Sequence, residues 1–378
     1  MIIIVGSGLS GATLAYLYAT KCNKEVLVIE KREHIGGNCY DYIDELGILC
    51  SKYGPHFFHT NSEKVWDFVN KFANWIPWEH RVLSKIDEQL VPVPVNIETV
   101  NKIFNTNINT VNEMNIWLEK NTGQIQNPLN SEESCINRVG NTLYEKIFRD
   151  YTVKQWDMSA KELDSSVLNR IPVRNNFDDR YFTDKYQALP ENGYTEFIKN
   201  MINHPNIKVL LNTDFFKVKS DYSNYEKIFY TGPIDSYFKD SGLDKLEYRT
   251  VIFEEETIDA DYYQPVSQVN YPSLQYPFTR ITEYKRVLNK NKPIGITKIV
   301  KEYSRGVGEP YYPIPNKRNE DLYNQYKKLA EKEEINSNVY FVGRLATYKY
   351  FNMDQAILSA IETFQKIERK QYNKINQL

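Results

Sequence analysis

The sequence is poor in cysteine and lacks the marks of a secreted protein. Four cysteines occur in 378 residues, none of them in a CxxC spacing, and there is no Asn-x-Ser/Thr sequon. We therefore expect free structural thiols in a reducing, cytoplasmic compartment rather than a disulfide framework. The four are Cys22, Cys39, Cys50 and Cys135.

An excess of charge of either sign is also missing. Lysine and arginine number 47 against 49 aspartate and glutamate residues, which gives a net charge of −2. No basic field favours nucleic acid, no charged tail favours a membrane surface, and no apolar run approaches the length of a membrane span. The first residues are typical of a core strand rather than a signal peptide. We expect a globular protein of two or three domains with no nucleic-acid or membrane partner.

Side-chain sets for hydrolytic or metal-dependent catalysis do not stand out either. No Ser/His/Asp or Cys/His set is apparent among the chain's five histidines. His56 and His59 have HxxH spacing, but no third ligand pattern accompanies them, so we expect no metal site.

What the sequence does contain begins at its amino terminus, where an apolar run precedes three glycines in GxGxxG spacing. Ile2–Val5 predicts a buried parallel strand, followed by a sharp turn into a helix that begins near Leu9. Gly6 allows the tight turn, Gly8 lets a pyrophosphate approach the main chain, and Gly11 lets the helix pack closely on the strand. The helix N-terminus supplies donors and partial positive charge, so the turn predicts a dinucleotide site.

Two further features indicate which dinucleotide is bound. Glu30 ends a second predicted strand, Val26–Ile29, where its carboxylate can accept both hydroxyls of a ribose. Gly36 and Gly37 then form a second glycine pair, which a nicotinamide enzyme does not obviously need. A long FAD molecule does require the chain to pass close beside it. We predict FAD, with an ordinary tight turn at the glycine pair as the alternative.

The remaining pattern predicts an α/β protein with an FAD-binding Rossmann-like domain of the glutathione-reductase type, a helical insertion and an antiparallel β-sheet domain. The FAD domain is expected at residues 1–76, 191–236 and 316–378, the helical domain at 97–170, and the sheet domain at 77–96, 171–190 and 237–315, with a mobile lid near 164–180. A capping box at 60–63 precedes a helix with Val65, Phe68, Val69 and Phe72 on its apolar face. Other predicted strands are 81–86, 89–95, 207–211, 228–231, 248–254, 267–271, 298–303 and 339–343, and other helices are 193–203 and 353–367.

The last predicted helix points its N-terminus at the flavin. Asn352 is a suitable N-cap, and the free amides of Met353 and Asp354 can bond the flavin pyrimidine, where negative charge gathers on reduction. A plain helix cap packed on the first sheet is the alternative.

A set of motifs, in this order and over nearly the whole chain, resembles the bacterial-type UDP-galactopyranose mutases. The segments are GSGLSG, IEKREHIGGN, KYGPHFFHT, RDYTVKQW, RIPVR, DDRYF, YRTVIF, PFTRITEYK, EPYYPI and FVGRLATYKYFNMDQAI. The resemblance implies a flavoenzyme that interconverts UDP-galactopyranose and UDP-galactofuranose without net redox, in which reduced FAD attacks the anomeric carbon. It also implies an external reductant such as NAD(P)H or a reductase, and a homodimer remains open.

The resemblance further implies the residues of the site. Arg170 and Arg280 are expected to hold the departing diphosphate by charged hydrogen bonds, with Arg174 and Arg249 as weaker candidates, and His56 is expected to shape the flavin pocket. Implied substrate-binding residues are Phe148, Tyr151, Thr152, Trp156, Tyr181, Arg249, Asn270, Tyr312, Tyr350 and His80. Implied cofactor-binding residues are Gly6, Ser7, Gly8, Ser10, Gly11, Glu30, Lys31, Gly37, Asn38, His56, Phe57, Phe216, Arg344, Tyr350, Asn352 and Met353.

Two positions depart from the family pattern, since His80 stands where asparagine is common and Asn352 where aspartate is common. These differences bear on substrate choice more than on reaction type, so UDP-N-acetylgalactopyranose and UDP-arabinopyranose stay open as substrates. Two other classes share the N-terminal cradle. One is a flavin oxidoreductase of the amine-oxidase type, and the other is a binding protein like the GDP-dissociation inhibitors.

Overall fold

The computed structural model describes residues 1–123, 125–222, 224–288 and 292–375. None of the helices in this part of the chain combines the length and the apolar character that crossing a membrane requires. The strands in chain order are β1 (Ile2–Val5), β2 (Val26–Ile29), β3 (Asp41–Ile43), β4 (Leu49–Ser51), β5 (Phe58–Thr60), β6 (Trp75–Pro77), β7 (Val82–Ile86), β8 (Gln89–Val93), β9 (Tyr186–Pro190), β10 (Ile207–Leu210), β11 (Lys227–Tyr230), β12 (Tyr248–Ile258), β13 (Gln268–Asn270), β14 (Arg280–Glu283), β15 (Thr297–Arg305), β16 (Tyr312–Pro313) and β17 (Val339–Phe341).

Helices connect these strands and form a separate layer in the middle of the chain. They are α1 (Leu9–Lys21), α2 (Glu63–Val69), α3 (Ile97–Phe104), α4 (Val111–Asn121), α5 (Ser131–Val139), α6 (Asn141–Leu143), α7 (Asp150–Trp156), α8 (Ser166–Asn169), α9 (Gly193–Ile202), α10 (Phe215–Val218), α11 (Ile234–Tyr237), α12 (Lys317–Ser337) and α13 (Met353–Ile375). A π-helical segment, Tyr144–Arg149, joins α6 to α7, and 3₁₀ turns lie at Gly37–Cys39, Ala160–Glu162, Lys219–Asp221 and Tyr284–Arg286.

The first sheet is parallel and has the strand order β10-β2-β1-β11-β17. Side chains of β1 alternate between two cores, because Ile2 and Ile4 face the layer that contains α1 while Ile3 faces the opposite side. Both faces are therefore covered, as is usual for parallel strands that read as continuous apolar runs. The predicted strand, turn, helix and strand at the amino terminus are confirmed with their boundaries.

The second sheet has seven strands in the order β16-β12-β15-β14-β13-β7-β8. Its pairs are antiparallel except for β13 with β7, which run parallel. The predicted hairpin is present as β7 and β8, with β8 at the edge of the sheet. The predicted strands at 248–254, 267–271 and 298–303 are also present, although β12 extends further, to Ile258. The sheet is therefore mainly antiparallel, as predicted.

The segment after the hairpin is helical, as predicted, and packs on it. Val91 and Val93 of β8 share one buried cluster with Val100, Leu143 and Ile147. The π-helical segment at 144–149 was not predicted. Such segments are rare and are frequently found at functional sites.

One helix start was assigned to the wrong residue. The predicted capping box made Thr60 the N-cap, but α2 is capped by Ser62, whose side chain accepts from the Val65 amide. The Thr60 hydroxyl instead accepts from the Ser62 amide and donates to Asp354 Oδ2 at 2.9 Å. The four residues of the predicted apolar face are buried all the same. A contact between distant segments thus replaces the predicted local cap.

Candidate active site and cofactor cleft

A cavity of about 450 Å³ opens where the glycine turn meets the carboxyl ends of the parallel strands. Ligands bind at this edge of open α/β sheets. The predicted cofactor residues in its lining are Gly6, Gly8, Ser10, Gly11, Glu30, Lys31, Gly37, Asn38, His56, Phe216, Arg344, Asn352 and Met353. Ser7, Phe57 and Tyr350, also predicted to bind the cofactor, are outside that lining.

The surroundings of each glycine in the turn show whether it is needed for packing within the protein or leaves space for a ligand. A Cβ added at Gly11 would lie 2.0 Å from the carbonyl oxygen of Gly6, so this position serves close packing of helix on strand. A Cβ added at Gly8 would meet only Gly37 Cα, at an ordinary 3.7 Å. The protein itself therefore does not require glycine at position 8, and the free space there faces the cavity.

Glu30 lies at the end of β2 and is held by the glycine turn. Its Oε2 accepts from the amide and the hydroxyl of Ser7, at 2.9 and 2.8 Å, and its Oε1 accepts from the Arg32 amide at 2.9 Å. Ser7 thus acts by orienting the carboxylate rather than by lining the cavity. Oε2 already accepts two hydrogen bonds, but Oε1 accepts only one and keeps a lone pair, so the carboxylate can still accept from a ribose hydroxyl. Together with the open space at Gly8, this arrangement fits a dinucleotide such as FAD.

His56 lies at the inner end of the cavity. Its Nδ1 is 2.9 Å from the Gly54 carbonyl oxygen, which can only accept, so Nδ1 carries the proton and Nε2 presents a lone pair. Burial, with the nearby charge of Arg344, lowers the pKa of His56 to about 4. The ring is therefore neutral at pH 7.

Arginine side chains gather beside the cavity. Arg170 packs over the Tyr350 ring at 4.4 Å, and its Nη2 donates to Asn352 Oδ1 at 2.9 Å. Arg344 lies 5.4 Å from the Tyr312 ring and 5.8 Å from that of Tyr350. In the described part of the chain, no carboxylate is within 4 Å of either guanidinium. Positive charge without a carboxylate partner is what binding of an anion requires.

Asn352 does not use its side chain as the predicted helix cap. Its side-chain Oδ1 accepts a hydrogen bond from Arg170, whereas its backbone amide donates to Gln355 Oε1 at 2.8 Å. The residue thereby joins the predicted lid to the first turn of α13. This contact uses a neutral amide where a carboxylate would form an ion pair.

The register of the second sheet aligns three candidate groups across adjacent strands. Asn270 of β13 is opposite Arg280 of β14, and Arg280 is opposite Glu302 of β15. Arg280 Nη2 is 2.8 Å from Glu302 Oε2. Burial lowers the pKa of Arg280, but the Glu302 carboxylate more than offsets this effect and keeps it well above the usual value.

Aromatic side chains pack between these arginines and form one aromatic surface with them. Trp156 and Tyr312 both make edge-to-face contacts with Tyr350, at ring distances of 5.6 and 5.4 Å. Burial raises the pKa of Tyr151 and of Tyr181, and the opposing charge of Arg280 acts on both. The structure thus brings Tyr151, Trp156, Tyr181, Tyr312 and Tyr350 together with Arg170 and Arg280.

His80 lies beneath this aromatic surface and is almost fully buried, with 2% of its surface exposed. Its ring stacks on Phe57 with centroids 3.7 Å apart, which accounts for the place of Phe57 outside the cavity. Tyr181 approaches the same imidazole edge-on at 5.8 Å. Burial and the charge of Arg280 lower the pKa of His80 to about 3.

Two predicted nucleotide-binding residues are part of the packing. Phe148 lies in the π-helical segment and belongs to the core between the helices and the hairpin. Thr152 is buried in α7. Both positions are next to Tyr151, so they can support a base-binding surface without exposing much of their own.

Two predicted arginines are committed to other contacts. Arg249 is buried, donates to the Gln155 carbonyl at 3.2 Å and to Ser304 Oγ at 3.1 Å, and lies 3.4 Å from Asp157 Oδ2. Arg174 donates to the backbone carbonyls of Asp178, Arg180 and Phe182. The Arg249 contacts hold α7 on the sheet, and the Arg174 contacts stabilise the conformation of residues 174–182. A direct contact of either arginine with substrate stays a prediction.

Sequence reasoning missed several residues of the site. Glu302 was not singled out, because only the strand register places it beside Arg280. Lys154 was inside the quoted segment RDYTVKQW but received no role. Glu309, which lines the cavity and lies 2.8 Å from Arg32 Nη2 and 3.1 Å from Lys31 Nζ, was inside the quoted segment EPYYPI but likewise received no role.

Comparison with known proteins gives consistent matches over the whole chain. A family model described as UDP-galactopyranose mutase matches residues 146–350, and one described as an NAD(P)-binding Rossmann-like domain matches residues 4–72. The chain is 39% identical over 366 residues to a probable UDP-galactopyranose mutase of Klebsiella pneumoniae, covering 96% of this chain and 93% of the relative. It is also 39% identical over 372 residues to a dTDP-fucopyranose mutase of Escherichia coli, covering 96% of this chain and 97% of the relative.

A solved structure supports the fold. The crystal structure of a reduced UDP-galactopyranose mutase superposes with a TM-score of 0.75 over 97% of this chain and 93% of that one, at 18% sequence identity. At this identity the likeness concerns the fold alone.

Proposed function

The chain belongs to the UDP-galactopyranose mutase family, and we propose that it interconverts the pyranose and furanose forms of a nucleotide-linked sugar, with UDP-galactose as the first candidate. The family membership confirms the resemblance seen in the sequence and does not favour an oxidoreductase or a binding protein. The observation that carries the proposal is the group of arginines beside the dinucleotide cavity, of which Arg170 has no carboxylate partner within the described residues. Such a group suits a diphosphate that leaves next to the cofactor.

The cofactor is FAD, which, when bound and reduced, would supply an electron-rich nitrogen as the nucleophile for the anomeric carbon. We propose that Gly8 and Gly37 let its pyrophosphate approach the backbone and that Glu30 accepts from its ribose. Lys31, Asn38 and the exposed ring of Phe216 line the same cavity. The first turn of α13, with Met353, would face the flavin ring, where its amides stabilise negative charge by about 0.3–1 kcal/mol.

The protein's own part in the reaction is to hold and stabilise the diphosphate. Negative charge on the diphosphate increases as the anomeric bond breaks, and we propose that Arg170 and Arg280 donate to its oxygens at that moment. The hydroxyls of Tyr181, Tyr312 and Tyr350 are placed to add neutral donors. Because burial raises the pKa of Tyr181 and of Tyr312, these hydroxyls keep their protons at working pH.

His56 is proposed to shape the flavin pocket as a neutral imidazole. With Nδ1 donating to Gly54, the Nε2 lone pair is available to accept a hydrogen bond inside the cavity. A charged imidazolium at this position would compete with the arginines for the diphosphate.

The identity of the sugar and of the base in the substrate is a separate question. The name of one relative supports a second candidate substrate. The relative from Escherichia coli is named a dTDP-fucopyranose mutase and is as similar to this chain as the relative named for UDP-galactopyranose. dTDP-fucopyranose is therefore the second candidate. UDP-N-acetylgalactopyranose and UDP-arabinopyranose stay as proposals that rest on the departures at His80 and Asn352 alone.

The wider setting is also proposed. The division into an FAD-binding domain, a helical domain and a sheet domain is kept at the predicted boundaries, with the lid near residues 164–180. An external reductant, a homodimeric state and a cytoplasmic location complete the proposal. The cytoplasmic location is supported by the four cysteines, all of which are free in the structure.

The test is a direct assay of the purified protein. Protein reduced with dithionite is incubated separately with UDP-galactopyranose, dTDP-fucopyranose, UDP-N-acetylgalactopyranose and UDP-arabinopyranose, and the furanose form of each is sought by chromatography. A catalytic quantity of reductant should support many turnovers. A colourless protein that ignores added FAD, or one equivalent of reductant consumed per product, would reject the proposal.

A further inference from the structure

We propose that Lys154 is a positioning residue that fixes the loop between Asn270 and Arg280 to the helix carrying the candidate nucleotide-binding side chains. Lys154 is on α7, two residues after Thr152 and two before Trp156. The proposal rests on the proposed function, because it assigns a role in the same site. It concerns a residue that contacts no substrate and acts through Arg280.

The lysine ammonium is the centre of a group of backbone carbonyls. Lys154 Nζ donates to the carbonyl oxygens of Ser273 and Tyr276 at 3.0 Å each and of Phe278 at 2.8 Å, and also to that of Tyr271. All four acceptors belong to one loop, residues 271–279, between β13 and β14. An ammonium has three N–H donors, so four carbonyls use its full capacity.

The loop makes few backbone hydrogen bonds, and its side-chain contacts include a cluster of the rings of Tyr271, Tyr276 and Phe278. It contains Pro272 and Pro277, which lack an amide donor. Its backbone hydrogen bonds run from the Tyr271 amide to the Thr279 carbonyl at 2.9 Å, from the Tyr276 amide to the Ser273 carbonyl at 3.2 Å, and from the Thr279 amide to the Glu302 carbonyl at 2.8 Å. Carbonyls that converge in this way repel one another unless a cation sits between them. Lys154 therefore determines whether the loop keeps this conformation.

The ends of the loop are site residues. The loop leaves the sheet after Asn270 and returns to it at Arg280, and these two are opposite each other in the register. A loop that loosens would move the start of β14, and with it the Arg280 guanidinium. The same ammonium fixes α7, where Tyr151 and Trp156 stand on either side of Lys154.

The contacts distinguish Lys154 from an ordinary surface lysine. Within the described residues no carboxylate is within 4 Å of its Nζ, so its charge is balanced by carbonyl dipoles alone. Burial lowers the pKa of Lys154 to about 8, and Asp150 on the same helix opposes this effect weakly. The other ionisable groups nearby are Tyr271 and Tyr276 on the loop, and burial raises the pKa of Tyr271 to about 12. Loss of the lysine proton above pH 8 should therefore weaken the contacts of Lys154 with the loop carbonyls before Tyr271 ionises.

The experiment compares Lys154→Met, Lys154→Arg and the matched control Lys146→Met in the FAD-loaded protein. Lys146 is an exposed lysine of the same helical segment that pairs with Asp87 on the sheet domain. Lys154→Met should lower kcat/KM by about ten- to a hundredfold, the equivalent of one charged hydrogen bond, at unchanged flavin content. Lys154→Arg should recover part of this loss, and Lys146→Met should behave as wild type.

Two readouts separate positioning from general stability. The wild-type kcat should fall above about pH 8, and the Lys154→Arg variant, whose charge persists, should lack this fall. Hydrogen exchange at a fixed pH should rise in peptides covering 273–279 in Lys154→Met, but not in peptides of the parallel sheet. The inference would be overturned if Lys154→Met had the same kcat/KM and the same hydrogen exchange as wild type. It would also be overturned if the kcat of Lys154→Arg decreased above pH 8 as that of wild type does.

Failure of the inference and failure of the proposed function give different results. If wild-type protein isomerises none of the four nucleotide sugars, the proposed function fails first. If wild type is active and Lys154→Met matches it, the inference alone fails. Should Lys154→Met not fold, the pH profile of Lys154→Arg against wild type still decides the matter.

Discussion

Arg280 and Glu302 face each other on neighbouring antiparallel strands, with Nη2 and Oε2 2.8 Å apart. Glu302 is 2% exposed and also accepts from the Thr282 hydroxyl at 3.2 Å, so the carboxylate is fixed before any ligand arrives. The arginine that we propose for diphosphate binding therefore has a built-in anchor. Arg170, its proposed counterpart, has a neutral anchor in Asn352 instead.

Removing the anchor should damage both stability and turnover. We expect Glu302→Ala to lower the free energy of unfolding by about 1–3 kcal/mol, since Arg280 is left partly buried without its partner. Turnover should fall about tenfold because the guanidinium is no longer held in place. Glu302→Gln, which keeps an acceptor oxygen, should lose less of both.

Urea unfolding and single-substrate kinetics measure these effects. Glu254→Gln is the matched control, because Glu254 is an exposed carboxylate of the same sheet that pairs with Lys301 and should be dispensable. Equal midpoints for Glu302→Ala and wild type would contradict the anchoring role.

The lid arginine gives a second prediction. Arg170→Ala should lower kcat by two to three orders of magnitude, roughly the effect of removing one fixed donor from a developing anion. Flavin content should not change, because Arg170 is not in the lining of the cofactor cavity. Arg170→Lys should restore only part of the activity, since an ammonium cannot make the bidentate contact of a guanidinium.

Rapid-mixing kinetics and the flavin-to-protein absorbance ratio provide the measurements. Arg318→Ala serves as control, since Arg318 is an exposed arginine paired with Glu247 on a different part of the surface. Near-wild-type turnover in Arg170→Ala would remove Arg170 from the proposed diphosphate site.

The elements that sequence reasoning predicted correctly are those whose signals are local. The turn from β1 into α1 depends on glycines within six residues, and Glu30 follows directly from the end of β2. The N-terminus of α13 was predicted at Met353 for the same reason, although the helix runs beyond the predicted end to Ile375. In these places spacing alone determines the structure.

The parts that were missed depend on distant contacts or weak patterns. The strand β14 is four residues long and begins after a proline-containing loop, and β16 has two residues. Neither is long enough to show the alternation of apolar and polar residues that predicts a strand. The long helix α12 is polar, and its buried positions form only a narrow stripe. Glu302 and Lys154 gain their roles from register and from a loop more than 100 residues away, which no local pattern encodes.

The glycine turn offers a prediction that separates folding from cofactor binding. Gly8→Ala should leave the fold intact, because its Cβ would meet only an ordinary contact at 3.7 Å, and yet weaken FAD binding at least about tenfold by filling the space of the pyrophosphate. Gly11→Ala should instead impair folding, since its Cβ would lie 2.0 Å from the Gly6 carbonyl oxygen. Circular dichroism and fluorescence titration with FAD distinguish the two. Normal FAD affinity in a folded Gly8→Ala protein would show that the cavity receives the cofactor differently.

Stability at acidic pH should depend on His80. Its pKa is lowered to about 3 in the folded protein by burial and by the charge of Arg280, whereas an unfolded chain takes up the proton near pH 6.5. Between these values the unfolded state binds more protons, so the free energy of unfolding decreases as the pH falls through this window. The stability associated with neutral His80 is present in full above pH 6.5 and is lost progressively below it, so that the free energy of unfolding should be about 2 kcal/mol lower at pH 5 than at pH 7.

Replacing His80 by asparagine removes this titration while keeping a polar side chain. Urea unfolding of wild type and His80→Asn at pH 7 and pH 5 should therefore show the smaller acid-induced loss in the variant, whatever the effect of the substitution at pH 7. Some loss should persist in His80→Asn, because the pKa of His56 is also lowered, to about 4, by burial and by Arg344. An identical loss in both proteins would show that His80 is not the acid-sensitive group.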